Sequence, residues 1–473
     1  MRTNLRHFRT GIGPSPGDHA GTSEVRPGPK AFYNPVPPAC CITGPPITTA
    51  DSSAPHLENP DETVRLDHCA AARHTAGDAR MKLANRLSHI EPFYVMECAK
   101  AAQRIAASPA CDPAQGGERM IFLNIGEPDF TAPPLVQEAA ERAIRDGRTQ
   151  YTEALGLPAL REALSGWYAQ RFGLDIPARR IMVTAGASAA LQLACLALFE
   201  AGDEVLMPDP SYPCNRHFVA AADAVAKLLP TTAEQRFQLD AAAVAQAWTP
   251  ATRGVLLASP SNPTGTSIHP DELGRIDGIV RGHGGVTVID EIYLGLSYDE
   301  AFGHSALKLG EHIVSVNSFS KYFNMTGWRL GWLVLPDALV APMERLAQNL
   351  FICASTIAQH AALACFHPES IAEYERRRGE FRARRDWVVP ALGRLGLPVP
   401  VLPDGAFYAY ADCSAHSADS WAFAFELMDR AHVALTPGRD FGRHQPERWL
   451  RLSFASRRDR LEEALHRLQR VLA

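Results

Sequence analysis

Short apolar runs alternate with helix-length stretches along most of the chain. Five mainly apolar runs occur at 181–184, 204–207, 254–258, 285–289 and 312–316, with helix-length sequence between most of them. Strands of parallel sheets have nearly continuous apolar sequence, because helices cover both faces of such sheets. The pattern therefore predicts an α/β fold with a mostly parallel sheet covered by helices.

Helical periodicity is clear between these runs. One apolar stripe, between Pro133-Pro134 and Gly147, consists of Leu135, Val136, Ala139, Ala140, Ala143 and Ile144. Proline at the start and glycine after the end are typical boundaries of a helix. A second helix is predicted over 188–199, after the strand 181–184 and a turn of small residues.

The pattern changes from about residue 369. A long charged helix is predicted through Trp387, followed by strands around 405–410 and 449–454 and by a terminal helix. These elements predict a smaller α+β domain beside the sheet. We expect the large domain to comprise 132–368, and the small domain to comprise 81–131 and 369–473.

The first 80 residues differ from the rest of the chain. They hold 11 of the 36 prolines and have little apolar periodicity, so we expect them to be disordered. A helix-like segment follows over 81–90, and either Met81 is the true start or the leader is a dispensable tail. Acidic residues in the leader, such as Glu24 and Asp51, argue against an organellar presequence.

Composition excludes several functional classes. The 473 residues carry a formal net charge of −5, which gives no electrostatic reason to expect a nucleic-acid partner. Ten cysteines show neither a C-x-x-C pair nor metal-ligand spacing, so we expect no metal and free thiols in the cytoplasm. No apolar stretch approaches the roughly 20 residues that span a bilayer, so no membrane partner is expected.

The richest chemical signal surrounds Lys321, in the run Val316-Asn-Ser-Phe-Ser-Lys-Tyr-Phe-Asn-Met-Thr-Gly-Trp-Arg329. A lysine amine condenses with an aldehyde, and the donors Ser318, Ser320 and Arg329 suit a phosphate dianion beside it. The combination points to pyridoxal phosphate. Ser-x-Ser-Lys alone would be weak evidence for this cofactor. Segments that are compatible with cofactor binding also occur upstream, at 184–190, 209–212, 261–265 and 290–293.

Two upstream pieces provide further supports for this cofactor. Ala187 and Ser188 lie at a strand-to-helix junction, where backbone N–H groups can bind an anion. A helix that starts with small residues and binds no ligand would have the same sequence pattern. Asp290 ends an apolar strand, where a buried carboxylate needs a positive partner such as a protonated pyridine nitrogen. A carboxylate that caps the following turn is the alternative.

The remaining candidates are each ambiguous alone. Tyr293 and Asn262 could donate to the phenolic oxygen of the cofactor, although Asn before Pro is also turn chemistry. Tyr212 could stack on the pyridine ring or pack as an ordinary aromatic. Arg451 lies in an apolar strand and needs an anion, either a substrate α-carboxylate or an internal salt-bridge partner.

Taken together, residues 81–473 resemble the class I/II, aspartate-aminotransferase-like, pyridoxal phosphate-dependent aminotransferases of fold type I. The resemblance depends on motifs along the whole globular part. They are Asn124-Ile-Gly-Glu-Pro-Asp-Phe130, Gln150-Tyr151, Ser261-Asn-Pro-Thr-Gly265, Asp290-Glu-Ile-Tyr293, the Lys321 motif and Arg451-Leu-Ser-Phe-Ala455.

The resemblance implies a role for each candidate. Lys321 would be the Schiff-base lysine and Asp290 the ring-nitrogen partner, with Tyr212 beside the ring. Asn262 and Tyr293 would contact the phenolic oxygen, and Gly126 and Arg451 the substrate carboxylate. The phosphate contacts would be Ala187, Ser188, Ser318, Ser320, Arg329 and, from the neighbouring subunit of a homodimer, Tyr151.

The expected activity is transfer of an amino group between an L-amino acid and a 2-oxo acid by a ping-pong mechanism. The same scaffold also supports β-elimination and decarboxylation, and more remotely a ligand-sensing regulator domain. The sequence does not define donor and acceptor. The apolar residues Ile90, Phe93, Tyr94 and Phe407 favour apolar or aromatic donors.

Overall fold

The computed structural model describes residues 82–473, which belong to one compact unit. The predicted disordered leader and Met81 lie outside the described residues. In chain order the strands are β1 (Ile121–Phe122), β2 (Ile181–Thr184), β3 (Glu204–Asp209), β4 (Val225–Pro230), β5 (Thr252–Ala258), β6 (Val286–Asp290), β7 (Val314–Ser318), β8 (Gly331–Val334), β9 (Tyr408–Asp412), β10 (Val433–Ala434), β11 (Thr436–Pro437) and β12 (Trp449–Ser453).

Twelve α-helices connect and cover these strands within residues 82–473. They are α1 (Tyr94–Ala106), α2 (Pro134–Arg145), α3 (Pro158–Phe172), α4 (Ala187–Leu198), α5 (Pro213–Ala221), α6 (Ala241–Ala247), α7 (Pro270–Gly282), α8 (Asp337–Leu350), α9 (Thr356–Ala362), α10 (Pro368–Arg394), α11 (Ser420–Ala431) and α12 (Arg458–Leu472). The predicted helix after Pro133 is confirmed as α2, whose Val136, Ala140 and Ala143 are buried.

The central sheet has seven strands in the order β2-β8-β7-β6-β5-β3-β4. All pairs are parallel except those of β8, which runs antiparallel to both β2 and β7. Each of the five apolar runs is a strand of this sheet, so the predicted mostly parallel α/β architecture is confirmed. Helices pack on both faces, and the resulting core contains residues such as Leu206, Leu257 and Ile289.

Two small sheets lie beside the central one. β1 pairs in parallel with β10, and β11, β12 and β9 form an antiparallel sheet. Their strands all fall within the ranges predicted for the small domain, while the boundary at residue 368 stays a prediction. The charged helix α10 continues past the predicted end at Trp387 and includes Pro390.

The helix predicted over 81–90 is wrong. Only a short 3-10 helix, Asn85–His89, forms there, and every residue from 82 to 90 is exposed. The physical reason is that the segment buries no apolar face, and most helical stability in proteins comes from packing such a face. Among the described residues, no helix is long and apolar enough to cross a membrane.

Candidate active site

The predicted site residues come together because the ends of three adjacent strands are in register. Ala258 at the end of β5 lies opposite Asp290 at the end of β6, and Asp290 lies opposite Val316 of β7. The loops that leave these ends carry Asn262 and Lys321. In open α/β sheets, ligands bind in the crevice at the carboxyl ends of the strands.

Lys321 points at the N-terminal Gly126 motif. Its Nζ donates a 2.6 Å hydrogen bond to the carbonyl oxygen of Gly126, and it lies 5.7 Å from the Tyr293 ring centre and 5.8 Å from that of Phe407. Burial, together with the positive charges of Arg451 and Arg329, lowers the pKa of the amine to about 8, although the carboxylates of Glu127 and Asp290 oppose this shift. Such an amine is still mostly protonated at pH 7, but a far larger fraction of it is neutral than in an ordinary lysine, and this neutral form can act as a nucleophile or base.

Asp290 is a buried carboxyl group that forms no salt bridge with a cationic side chain among the described residues. The residue is 4% exposed, and its hydrogen bond within residues 82–473 comes from the Ile292 N–H at 3.1 Å. Burial raises the pKa of the carboxyl to about 7, although the charge of Lys321 opposes this effect. The position therefore suits a group that brings a positive charge to this strand end.

Gly186 and Arg329 form a corner at the start of α4 that is suited to an anion. Gly186 has φ of +84°, and a Cβ atom on it would lie 2.7 Å from Nη2 of Arg329. No ion pair involves Arg329 in the described part of the chain, where its Nη1 donates to the Thr326 carbonyl at 2.8 Å. The first N–H groups of α4, at Ala187 and Ser188, have no intrahelical partner and add positive potential.

The hydroxyls before Lys321 lie on the strand end nearby. Ser318 and Ser320 are both buried, and the Ser320 N–H donates to Ser318 Oγ at 3.0 Å. Ser188 is exposed. Its backbone amide is a better candidate than its hydroxyl, as the small-residue sequence around it also suggests.

Arg451 is a buried guanidinium that no carboxylate pairs with among the described residues. It is 3% exposed, and it donates to Asn262 Oδ1 at 2.7 Å and to the Asn124 carbonyl at 2.6 Å. Its Nε is buried without a hydrogen-bond partner. The internal salt bridge that was the alternative interpretation is absent here, and the unsatisfied Nε suits an incoming carboxylate.

Tyr408 is a site residue that sequence reasoning missed. Its hydroxyl lies 2.7 Å from that of Tyr293, and a Cβ atom on Gly126 would overlap it. Its ring lies 4.4 Å from the Arg451 guanidinium carbon. The motif Gly405-Ala-Phe-Tyr-Ala-Tyr410 predicted a strand, but no local signal marked Tyr408 for the site.

The aromatic candidates separate into two groups. Phe93 packs edge-on against Tyr212, with ring centres 6.4 Å apart, and Phe407 is fully buried near Lys321. Tyr94 instead packs against Trp421, with ring centres 5.7 Å apart. Ile90 lies on the exposed segment and is 36% exposed.

Tyr151 is not enclosed within this chain. It is 80% exposed, far more than the other tyrosines of the site. Tyr151 is predicted to contact the phosphate in the active site of a neighbouring subunit. The single chain does not test this contact, so it stays a prediction.

These groups together fit pyridoxal phosphate. The buried Asp290 needs a cation, the Gly186–Arg329 corner needs an anion, and Lys321 supplies an amine of lowered pKa. Asn262 accepts a hydrogen bond from Arg451, and Tyr293 lies beside Lys321, so both bring polar atoms to the same site. No cluster of metal-ligating side chains was found among residues 82–473.

Comparison with known proteins gives consistent relatives. Residues 118–468 match the family described as Aminotransferase class I and II. The chain is 37% identical over 380 residues to a valine–pyruvate aminotransferase of Mycobacterium tuberculosis, which covers 80% of this chain and 96% of that protein. It is 32% identical over 383 residues to an aspartate aminotransferase of Pyrococcus horikoshii, covering 80% and 97%.

The fold has close structural counterparts as well. A crystal structure of an aminotransferase from Mycobacterium tuberculosis superposes with a TM-score of 0.78 and 36% identity. The superposition covers 83% of this chain and 99% of that one.

Proposed function

The chain is an aminotransferase of the class I and II family, with the fold-type-I architecture of that family, and we propose that it works with pyridoxal phosphate held beside Lys321. The observation that carries the cofactor assignment is the buried amine of Lys321 in one site with two other buried ionisable groups, the carboxyl of Asp290 and the guanidinium of Arg451, neither of which forms a salt bridge among the described residues. Each of these three groups needs a partner that the cofactor or the substrate provides.

Four kinds of contact would hold the cofactor. The phosphate would be bound by three groups: the backbone N–H groups of Ala187 and Ser188 at the start of α4, the guanidinium of Arg329, and the hydroxyls of Ser318 and Ser320. Asp290 would keep the ring nitrogen protonated, Tyr212 would lie against the ring, and Asn262 and Tyr293 would donate to the phenolic oxygen. When bound, the cofactor supplies an aldehyde carbon and an electron-withdrawing ring that stabilises negative charge on the substrate carbon.

Lys321 would move the proton. Its lowered pKa gives a substantial neutral fraction at neutral pH, and this neutral amine can accept the α-proton of the amino acid and return a proton afterwards. The Gly126 carbonyl orients the amine through the 2.6 Å hydrogen bond. Burial of the site excludes water, which strengthens the electrostatic interactions within it.

Arg451 would bind and orient the α-carboxylate of the substrate. Asn262 Oδ1 and the Asn124 carbonyl fix one edge of the guanidinium, and the unsatisfied Nε remains for the ligand. The main chain of Gly126 would complete the carboxylate site. This arrangement positions the α-carbon beside Lys321.

We propose an apolar or aromatic amino donor. Phe93 and Phe407 supply apolar surface on the side of the site next to Tyr212 and Lys321. A relative at 37% identity is named for valine and pyruvate, which is consistent with this proposal. The test is a panel of donors, from alanine to phenylalanine and aspartate, with 2-oxoglutarate or pyruvate as acceptor. Faster turnover of aspartate than of every apolar donor would contradict the proposal.

The other reactions of this scaffold are not favoured. The relatives named above are all aminotransferases, and none is described as a β-lyase or a decarboxylase. A regulator domain is not favoured either, because the chain covers 96% of the valine–pyruvate aminotransferase.

We further propose a homodimer in the cytoplasm. The dimer would let the exposed Tyr151 reach the phosphate of the neighbouring active site. The cytoplasmic assignment depends on free thiols, which persist in a reducing compartment. The described free cysteines are Cys98, Cys111, Cys195, Cys214, Cys353, Cys365 and Cys413.

A further inference from the structure

A fully buried carboxyl group, that of Asp440, directly precedes in sequence an aromatic ring that packs against Arg451. Asp440 ends the short 3-10 helix Gly438–Asp440 and is 0% exposed. The ring of the next residue, Phe441, lies 4.7 Å from the guanidinium carbon of Arg451. Neither carboxyl oxygen of Asp440 forms a hydrogen bond of good geometry within the described residues. An unsatisfied buried carboxyl is costly, so its environment indicates what it interacts with.

Charged and polar groups from three elements face Asp440. The positive charges are Arg451 of β12 and Arg216 of α5, and the guanidinium of Arg216 donates to the Asp440 carbonyl at 3.3 Å. The N–H groups of Tyr94 and Val95, at the start of α1, also face the carboxyl. The thiols of Cys98 on α1 and Cys214 on α5 are the other titratable neighbours.

The ionisation of Asp440 is poised by opposing effects. Burial raises the pKa of the carboxyl to about 6, and Arg451 is the largest of the opposing influences. Asp440 therefore changes charge near neutral pH. Because the interaction is mutual, whatever changes the charge environment of Arg451 also changes the proton affinity of Asp440.

Resting on the proposed role of Arg451, we propose that Asp440 is its counter-charge in the resting enzyme. A substrate carboxylate brings a second negative charge to Arg451 and competes with ionised Asp440. Carboxylates therefore bind more tightly when Asp440 carries a proton. Binding near pH 6 takes up a proton from solution, and that proton resides on an oxygen of Asp440.

Calorimetry of the cofactor-loaded enzyme with 3-phenylpropionate tests this proposal, because this carboxylate has no amino group to react. Titrations at pH 6 in two buffers of different ionisation enthalpy measure the protons taken up. We expect net uptake at pH 6 and almost none at pH 8. We also expect a Kd about tenfold higher at pH 8 than at pH 5, the equivalent of one pKa unit.

Two variants separate the outcomes. Asp440→Asn should remove the proton uptake and flatten the pH dependence, while Glu91→Gln should retain both. Glu91 is a matched control because its carboxylate pairs with Arg216, at 3.4 Å, rather than with Arg451. Unchanged proton uptake and pH dependence in Asp440→Asn would overturn the proposal. If that variant does not fold, the absence of proton uptake by the wild type at pH 6 would overturn it equally.

The same titrations distinguish this proposal from the proposed function. Equal binding of 3-phenylpropionate by the wild type and Arg451→Leu would refute the carboxylate-binding role of Arg451. Binding that is lost in Arg451→Leu but keeps the wild-type pH dependence in Asp440→Asn would refute only the counter-charge role of Asp440.

Discussion

The amine of Lys321 donates a 2.6 Å hydrogen bond to the main-chain carbonyl of Gly126, 195 residues earlier in the chain. Gly126 in turn has no room for a side chain, because a Cβ atom would overlap the Tyr408 hydroxyl. One glycine thus joins the loop after β7, the N-terminal motif and the small antiparallel sheet.

This contact predicts the effect of a methyl group at Gly126. In Gly126→Ala the methyl group displaces either Tyr408 or the carbonyl that orients Lys321, so we expect kcat/KM to fall at least about tenfold. Steady-state kinetics with the best donor measures the change. Adding Tyr408→Phe should recover part of the activity, because it removes the overlapping oxygen.

Gly166→Ala is the matched control. Gly166 lies in α3, and a Cβ atom there meets no heavy atom within 4 Å. We expect unchanged kinetics and an equal or higher Tm, because alanine favours a helix over glycine by about 1 kcal/mol. A similar loss of activity in both alanine variants would argue against a special role for Gly126.

Asp290 predicts a pH-dependent effect on stability. Its pKa is raised to about 7 in the fold, whereas an unfolded aspartate ionises near pH 3.8. The folded state therefore binds more protons between about pH 4 and 7, and its stability falls as pH rises through this window. Without cofactor, Asp290→Asn should be more stable than the wild type at pH 8, by about 2 to 4 kcal/mol, and similar at pH 4.

Cofactor should reverse this order. With pyridoxal phosphate bound, a cation next to Asp290 stabilises the carboxylate, so the wild type should gain more in Tm from the cofactor than Asp290→Asn does. Thermal unfolding with and without cofactor, at both pH values, measures the difference. An equal cofactor-induced gain in both proteins would contradict the assignment of Asp290.

Arg451 predicts a loss of carboxylate affinity on conservative substitution. Lysine keeps the charge but cannot hold Asn262 and a carboxylate together, so Arg451→Lys should raise KM for the donor about 10- to 100-fold. The measurement is the kinetics of donor and acceptor half-reactions. Arg448→Lys is the control, since Arg448 lies just before β12 and pairs with Asp412 near the surface. The KM of Arg448→Lys for the donor should stay within about twofold of the wild-type value.

The exposed position of Tyr151 predicts that cofactor affinity depends on formation of the dimer. If its hydroxyl reaches the neighbouring subunit, Tyr151→Phe should weaken cofactor binding about tenfold, the loss of one hydrogen bond to a charged group. Sedimentation should give a dimer for both proteins. Tyr94→Phe, whose ring packs against Trp421, should bind cofactor normally. A monomeric wild type with full cofactor affinity would refute the shared site.

The sequence predicted five of the seven strands of the central sheet, and the roles of the site residues stay predictions. Each apolar run became a strand because its residues are buried on both faces, and Asp290 and Lys321 follow strand ends whose register is parallel. Strands β4 and β8 were missed: β4 is only partly buried and has no continuous apolar run, and the four residues of β8 follow directly on the Lys321 motif and pair antiparallel with β2, far away in the sequence.

Other features depend on tertiary contacts that no local pattern encodes. Tyr408 and Gly126 meet across more than half of the chain, and Asp440 differs from other aspartates only because folding buries it. The segment 82–90 has a helix-like composition, but it finds no apolar partner and stays exposed. Local propensity is a weak guide where packing is absent.

The most direct test is to reduce the enzyme with borohydride after incubation with pyridoxal phosphate, followed by peptide mass analysis. We predict a covalent pyridoxyl adduct on the peptide that contains Lys321, and none there in Lys321→Ala. A wild-type enzyme that transfers amino groups but carries no adduct at Lys321 would contradict the account.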